Sequence, residues 1–377
     1  METIHVYSHF LNQFPHKPTK TMQMLTAIQG SVIVPSFSHL FSTYARSSFS
    51  STKKAPTPVT ALFNSLRSAN NFSWLSVFTA NVSDAKTVNY NDTANSEVVE
   101  TSLDDMRQAR KGMEDFVGCQ KKHFVLIHGA CHGAWCWYKV KPLLESSGHR
   151  VTALDLTGAG INPNSIEEVY SFSEYTQPLL DFLSSSVQPN EKVILVGHSL
   201  GGMNLSLAME KFPEKIDVAV FLTAYMPDTK NQPSYVFEEY NRRVPEVDWL
   251  DTKSSPYGKS ELQLKAVLFG PEFLSLKLYQ LSPLEDLDLA KSLLRPSSLF
   301  VHDLSKSKKF TEERYGSVKR AFIVASEDKA LPKEFQLWMI ENSPVDEVME
   351  MKGTDHMAML SRPQDVAHCL LKIARKY

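Results

Sequence analysis

Short apolar runs alternate with amphipathic segments over the last two thirds of the chain. The runs are continuous, which is typical of strands buried on both faces of a parallel sheet. The runs are HFVLIH at 123–128, VTALDL at 151–156, KVILVG at 192–197, VAVFL at 218–222, AFIVA at 321–325 and EVMEM at 347–351. Apolar side chains at helical spacing occupy 137–146, 175–183, 200–211, 333–340 and 364–375. This alternation predicts an α/β fold, with helices flanking a mostly parallel sheet.

One segment, at about 226–297, breaks the alternation. It is rich in proline and bulky aromatic residues, and it contains no clear buried-strand run. We interpret it as an inserted, mainly helical cap that covers the carboxyl ends of the strands. The alternative is a helical excursion that packs away from any site. Residues 121–377, including this insertion, are predicted to form the folded domain.

The first 83 residues have a different composition, with six basic residues, one acidic residue and dense serine between Ser31 and Ser51. A serine-rich, arginine-bearing and acid-poor segment is typical of an organelle transit peptide. The serine and threonine content favours a plastid, so we expect residues 1–83 to be a disordered transit peptide for the chloroplast. The alternative is a disordered tail that carries no targeting signal, on a cytoplasmic protein. Residues 84–120 predict a polar linker with a short helix at 103–116.

Overall composition excludes several classes of protein. Hydrophobic residues make up 42% and charged residues 22%, as in an ordinary globular protein. The 40 basic and 42 acidic residues leave a net charge of −2, so no nucleic-acid partner is expected. No apolar stretch is long enough to span a membrane. The four cysteines contain no C-x-x-C pair, which excludes a disulfide scaffold and fits a compartment that keeps thiols reduced.

The most specific chemical motif is Gly197-His198-Ser199-Leu200-Gly201, a G-x-S-x-G sequence between an apolar strand and a helical segment. In that context the serine lies on a strained strand-to-helix turn. The helix that begins at Leu200 directs its first amides towards the same place, which favours an oxyanion. Ser199 is therefore the candidate nucleophile, and the alternative is a tight turn with a surface serine.

A serine nucleophile needs a base, and in this fold the acid and then the histidine follow the serine along the chain. His356 is the candidate base because it lies in the loop after the last strand run. His302 lies at the end of the cap and His368 lies in a helical segment. The loop after 321–325 supplies the acid, and we favour Asp328 over its neighbour Glu327. The acid would orient the imidazole and stabilise the imidazolium.

The oxyanion formed during attack needs two amide donors. We assign them to the backbone N–H groups of Leu200 and Ala130, the second of which lies in the small-residue loop 128–133. The alternative for this loop is an ordinary glycine-rich turn. Asp355 adjoins His356, and adjacent side chains seldom face each other. We therefore expect Asp355 to support the site from outside the triad or to face solvent.

Long motifs from residue 122 onward resemble the plant methylesterase family, which is related to the plant hydroxynitrile lyases. They include HFVLIHGACHGAWCWYK, EKVILVGHSLGGMNLSLAMEK, LYQLSPLEDL, GSVKRAFIVASEDKALPKEFQLWMIEN and KGTDHMAML. The resemblance implies an α/β-hydrolase fold and hydrolysis of methyl esters of small plant acids or hormones, such as salicylate, jasmonate and indole-acetate. It also implies a homodimer, and it places the triad and the oxyanion amides on the same residues as above. The acyl-enzyme mechanism requires neither a metal nor an organic cofactor.

The resemblance also implies a ligand pocket, formed mostly by the cap. Its lining residues would be Gly129, His198, Tyr240, Trp249, Phe269 and Leu299. The related lyases have threonine in place of Gly129 and lysine directly after the catalytic histidine, where this chain has Met357. Methionine supplies no cation for a departing cyanide, so the resemblance favours an esterase over a lyase. A receptor that binds a small acid with little turnover is the remaining alternative.

Overall fold

The computed structural model of the chain describes residues 121–244 and 249–377. The predicted transit peptide at 1–83 and the linker with its short helix at 84–120 lie outside these residues. Along the described part the strands are β1 (His123–Ile127), β2 (Arg150–Leu154), β3 (Val193–Ser199), β4 (Ile216–Ala224), β5 (Lys253–Tyr257), β6 (Leu264–Leu268), β7 (Lys319–Ala325) and β8 (Glu347–Met351). Six of them coincide with the predicted apolar runs.

These six strands form one parallel sheet in the order β2-β1-β3-β4-β7-β8. Successive residues of a strand point to opposite faces. In β1, Phe124 and Leu126 belong to one apolar cluster, whereas Val125 and Ile127 belong to another. Both faces of the sheet are therefore covered, which explains why the apolar runs are continuous.

Helices flank the sheet on both faces, and others lie in the cap. They are α1 (Val140–Ser146), α2 (Phe172–Asp181), α3 (Gly201–Lys211), α4 (Tyr235–Arg243), α5 (Pro271–Phe273), α6 (Leu284–Leu293), α7 (Val301–Lys306), α8 (Lys333–Asn342), α9 (Ala358–Ser361) and α10 (Pro363–Lys376). Short 3₁₀ turns occupy Ala134–Trp137, Ile166–Glu168, Pro213–Lys215 and Ser260–Leu262, and π turns occupy Phe182–Ser186 and Leu274–Leu278. None of the described helices is long and apolar enough to cross a membrane.

The cap lies in the long connection between β4 and β7, and it is mainly helical, with one element that was not predicted. Besides α4, α5 and α6 it contains an antiparallel hairpin, in which β5 pairs with β6. The sequence of β5, KSSPY, is polar and mostly exposed, so it carries no buried-strand pattern. Proline within a strand also argues against a central strand, but it is tolerated at an edge. Because a two-stranded hairpin consists only of edges, Pro256 is compatible with it.

Candidate active site

A sharp turn between β3 and α3 presents Ser199. Its φ of 54° lies in the left-handed region, which is strained for a residue other than glycine. The turn is possible because a Cβ at Gly197 would lie 2.8 Å from the Gly201 carbonyl carbon, and one at Gly201 would lie 2.8 Å from the His128 carbonyl oxygen. The glycines two residues before and after Ser199 therefore let three backbone segments pack together, as the motif predicts.

The loops after β7 and β8 bring Asp328 and His356 together. The Nδ1 atom of His356 lies 2.6 Å from Oδ2 of Asp328, and both side chains are buried. Glu327, the alternative acid, is exposed. His302 and His368 lie in α7 and α10, so neither follows a strand end of the sheet. The Asp328 contact occupies one ring nitrogen of His356 and leaves Nε2 for a hydroxyl.

Asp328 is held in place by three further donors. The Thr223 hydroxyl donates to Oδ2 at 2.5 Å, and the backbone N–H groups of Ala330 and Leu331 donate to Oδ1 at 2.8 and 2.7 Å. The loop itself is tied to α8, because the Gln336 side chain bonds both the N–H and the C=O of residue 325. The carboxylate is thus oriented before any ligand binds.

Ser199 and His356 both line a cavity of about 390 Å³, and so do Ala130 and Leu200, the residues predicted to supply the oxyanion donors. The rest of its wall is mostly apolar and aromatic. It consists of Tyr225, Tyr240, Trp249, Thr252, Ser254, Val267, Phe269, Phe273, Leu278, Ser297, Ser298, Leu299, Ala330 and Leu331. Nucleophile, base, acid and oxyanion candidates therefore meet at the carboxyl edge of the sheet, where the sequence analysis expected them.

The predicted pocket residues divide into two groups. Tyr240, Trp249, Phe269 and Leu299 line the cavity, and the cap or its flanks supply them. Sequence reasoning missed several wall residues, among them Tyr225. The signal that could have found Tyr225 is its position directly after β4, because residues that follow parallel strands collect at the same edge of a sheet.

Gly129 and His198, by contrast, lie behind the wall, which corrects the pocket prediction. His198 is 1% exposed, and its Nε2–H donates to the His356 carbonyl at 2.8 Å. Burial lowers the pKa of His198 well below its usual value, so the ring is neutral and supports the base from behind. Gly129 packs directly on the nucleophile, since a Cβ there would lie 2.8 Å from the Ser199 Cβ.

Asp355 is fully buried beside His356, so the alternative that it faces solvent is wrong. Its Oδ2 accepts hydrogen bonds from the Leu281 N–H at 2.9 Å and from the Ser282 hydroxyl at 2.8 Å. Its Oδ1 finds no partner among the described residues. Burial raises the pKa of this carboxyl. Asp355 therefore joins the base loop to the cap.

Other chemistry has little support at this edge of the sheet. Within residues 121–244 and 249–377, no three His, Cys, Asp or Glu side chains are grouped so that they could hold a metal ion. Cys131 and Cys136 are free thiols, and burial raises the pKa of both above the usual range. A thiol with a raised pKa is a poor nucleophile at neutral pH, so Ser199 is the better candidate.

Comparison with known proteins places this chain in a class. Residues 124–368 match the alpha/beta hydrolase family, and the chain belongs to it. Salicylic acid-binding protein 2 from Nicotiana tabacum is 60% identical over 68% of this chain and 98% of its own length. Methylesterase 1 from Arabidopsis thaliana is 56% identical over 68% of this chain and 98% of its own length.

A solved structure agrees with these relatives. The crystal structure of polyneuridine aldehyde esterase has a TM-score of 0.66 and 54% identity, and the match covers 68% of this chain and 100% of that one. Within the α/β hydrolases, the chain is therefore a member of the plant methylesterase family.

Proposed function

We propose that this chain is a carboxylesterase that hydrolyses methyl esters of small plant acids through a Ser199–His356–Asp328 triad. The observation that carries the proposal is one cavity wall that contains both Ser199 and His356, while Asp328 holds the far side of the imidazole at 2.6 Å. A base that is oriented by an acid and shares a cavity wall with a strained serine is the arrangement that acyl transfer needs.

Acylation begins when the Ser199 hydroxyl oxygen attacks the ester carbonyl carbon. Nε2 of His356 takes the hydroxyl proton, and Asp328 stabilises the imidazolium that forms. The carbonyl oxygen becomes an oxyanion, which the N–H groups of Ala130 and Leu200 hold. The bond to the methoxy oxygen then breaks, and His356 returns the proton to the leaving group, which departs as methanol.

Deacylation repeats these steps with water as the nucleophile. His356 takes a proton from water while the water oxygen attacks the acyl carbon, and the same two N–H groups hold the second oxyanion. The bond between the acyl carbon and the Ser199 oxygen breaks. His356 returns the proton to Ser199, and the free acid leaves the cavity.

The cavity limits the substrate class. Its volume of about 390 Å³ lies near the lower end of the range of roughly 300–1,000 Å³ that ligand pockets span. Its aromatic wall suits a compact apolar or aromatic acyl group. The names of two relatives, methylesterase and salicylic acid-binding protein, point to the same kind of molecule. Methyl esters of salicylate, jasmonate and indole-acetate are therefore the first panel to test.

The hydroxynitrile lyase alternative has less support. Met357, the residue after the base, is fully buried and carries no charge, so it supplies no cation for a departing cyanide. A threonine in place of Gly129 would also bring its Cβ to 2.8 Å from the Ser199 Cβ, so the loop would have to move. The receptor alternative draws on the name of the tobacco relative, and it predicts tight binding of salicylic acid with negligible hydrolysis.

The test is hydrolysis of the ester panel by the full chain and by Ser199→Ala. We expect turnover of at least one methyl ester, and a loss of about 10⁴–10⁶ in kcat on substitution. Ser206→Ala is the matched control, because this buried serine lies on α3, its hydroxyl donates to the Gly202 carbonyl, and it does not line the cavity. Substantial activity of Ser199→Ala would refute the mechanism. Tight salicylic acid binding by a wild-type protein that hydrolyses none of the esters would favour the receptor.

Two further proposals rest on composition and resemblance. We propose that residues 1–83 direct the protein to the chloroplast, which their serine-rich and acid-poor composition supports. A fluorescent protein fused to these residues should collect in chloroplasts, and diffuse cytoplasmic fluorescence would refute this. We also propose a homodimer, which the family resemblance supports, and light scattering on the purified chain would distinguish it from a monomer.

A further inference from the structure

Two buried histidines hold the loop that carries Ala130. Nδ1 of His128 lies 2.8 Å from the Gly129 carbonyl oxygen, and Nδ1 of His132 lies 2.8 Å from the Ala130 carbonyl oxygen. Both rings are almost completely buried, and neither lines the cavity. We call this pair, His128 and His132, the histidine clamp. The triad mechanism makes no use of either ring.

The contacts of His128 determine which of its nitrogens carries the proton. The Leu156 backbone N–H lies 3.1 Å from Nε2, and a backbone N–H can only donate. Nε2 therefore accepts and carries no proton. Because burial lowers the pKa of His128, the ring is neutral, and its one proton lies on Nδ1. His128 thus donates to the Gly129 carbonyl.

The same reasoning applies to His132. Its Nδ1 faces the Ala130 carbonyl, which only accepts, so Nδ1 carries the proton. Burial lowers the pKa of His132 to about 3, so Nε2 is unprotonated and accepts from the Tyr279 hydroxyl at 2.7 Å. The ring also lies nearly parallel to the rings of Trp135 and Tyr279, with centroid distances of 5.3 and 6.0 Å. A residue of the cap thereby fixes the orientation of His132.

The His128 contact acts on the peptide group that carries the proposed oxyanion donor. The Gly129 carbonyl and the Ala130 N–H belong to one planar peptide unit, so a bond that fixes the carbonyl also fixes the direction of the N–H. A donor on the carbonyl oxygen further polarises the unit and strengthens its N–H as a donor. The next residue, Cys131, has a φ of 63°, a conformation that needs support, and the His132 bond lies directly before it.

We propose that His128 and His132 are positioning residues for the oxyanion hole: His128 aims and polarises the Ala130 N–H, and His132 holds the peptide group that follows it. This inference rests on the proposed esterase function. It accounts for both histidines of the HGACHG sequence, which the triad leaves without a role. Since the oxyanion exists only in the transition state and in the tetrahedral intermediate, loss of the clamp should lower kcat and leave ground-state binding almost unchanged.

A pair of amide substitutions separates the two contacts of His128. In His128→Asn the amide nitrogen takes the place of Nδ1 and still donates to the Gly129 carbonyl, but the Leu156 contact is lost. In His128→Gln the amide reaches the place of Nε2 and still accepts from Leu156, but the Gly129 contact is lost. The proposal predicts a loss of about 10- to 100-fold in kcat for His128→Gln, because a misaimed oxyanion donor costs less than the 10²–10³ of a deleted one. His128→Asn should recover most of the activity.

The decisive measurement compares two inhibitors on the full chain. A trifluoromethyl ketone forms a tetrahedral adduct with Ser199 and places an oxyanion at the Ala130 N–H, whereas the product acid binds without one. For His128→Gln, affinity for the ketone should fall by the same factor as kcat/KM, and affinity for the acid should change less than about twofold. His149→Gln is the control, because this buried histidine contacts the Lys122 N–H before β1, at the opposite end of that strand from the loop. It should leave both affinities unchanged.

Tyr279→Phe provides a second, milder variant should His128→Gln fail to fold. It removes only the hydroxyl that orients His132, and we expect equal losses of about three- to tenfold in kcat/KM and in ketone affinity. Equal effects of Asn and Gln at 128, or parallel losses of ketone and acid affinity, would overturn the inference. Normal ketone affinity in both His128→Gln and Tyr279→Phe would do so too. If Ser199→Ala stayed active, the esterase mechanism itself would be refuted. If Ser199→Ala were inactive while His128→Gln and Tyr279→Phe kept wild-type kcat/KM and ketone affinity, only the inference about the histidine clamp would be refuted.

Discussion

Gly129→Ala is the perturbation that tests most directly how closely the oxyanion loop approaches the nucleophile. The added Cβ would lie 2.8 Å from the Ser199 Cβ, 3.1 Å from the His198 Nδ1 and 3.3 Å from the His198 carbonyl oxygen. Carbon atoms in contact prefer about 3.5–4.0 Å, so the shortfall against Ser199 is about 0.7–1.2 Å. One of the two segments must therefore move.

The loop that carries Gly129 should move, because the turn at Ser199 is already closely packed. Gly201 leaves the turn no free space against β1, since a Cβ there would already lie 2.9 Å from the Ile127 carbonyl oxygen. A displacement of about 1 Å in a catalytic group costs on the order of 10²-fold in rate. We therefore expect kcat/KM to fall by about 30- to 100-fold. Overpacking should also lower the free energy of unfolding by about 1–3 kcal/mol.

The assay compares ester hydrolysis and thermal unfolding in Gly129→Ala and Gly148→Ala. Gly148 has a φ of 87° and open space around its Cβ position, so alanine there is strained but touches nothing. It should destabilise the fold by about 1–2 kcal/mol and leave kcat/KM unchanged. If Gly129→Ala kept wild-type activity, or lost no more than the Gly148 variant, the close approach would be irrelevant to catalysis and the reasoning would be refuted.

Two other predictions concern the acid and its neighbourhood. Thr223→Val removes the hydroxyl that donates to Asp328 at 2.5 Å. Since a hydrogen bond to a charged group contributes about 1.5–3 kcal/mol, kcat should fall about tenfold or more. An unchanged kcat would contradict the assigned orientation of the acid. Burial raises the pKa of Asp355, so its carboxyl group keeps a proton to higher pH in the folded state than in the unfolded state. The free energy of unfolding of the wild type therefore decreases as the pH rises above about 4 and through the raised pKa. Asp355→Asn has no carboxyl group to titrate, so the melting temperature of the variant minus that of the wild type should increase between pH 4 and 7. A difference that stays constant over this pH range would refute the argument.

The central sheet and the turn at Ser199 were predictable because their causes are local in the chain. A strand buried on both faces must be apolar throughout, and the turn at Ser199 needs glycine at fixed distances on either side. Loop position narrowed the acid to Asp328 or Glu327, and the structure buries the former, which was favoured, and exposes the latter. The carboxyl ends of parallel strands share one edge, so distant residues could be placed together from sequence order alone.

The cap and the buried polar contacts were not predictable in the same way. The polar strand Lys253–Tyr257 is stabilised by its partner Leu264–Leu268, and neither sequence has an apolar–polar pattern that identifies it as a strand. The positions of His198 and Asp355 also depend on tertiary packing, because each contacts a segment more than 70 residues away. Side chains whose partners lie far along the chain have no local signature, so the pocket wall needed the structure.

One short part of the cap contacts all three catalytic loops, and its first residue, Leu278, lines the cavity. Segment Leu278–Ser282 bonds the oxyanion loop through His132, the acid loop through the Glu327 carbonyl, and the base loop through Asp355 and the Met357 N–H. Moving this segment would break these bonds together and would release the Ala130 loop and the His356 loop at once.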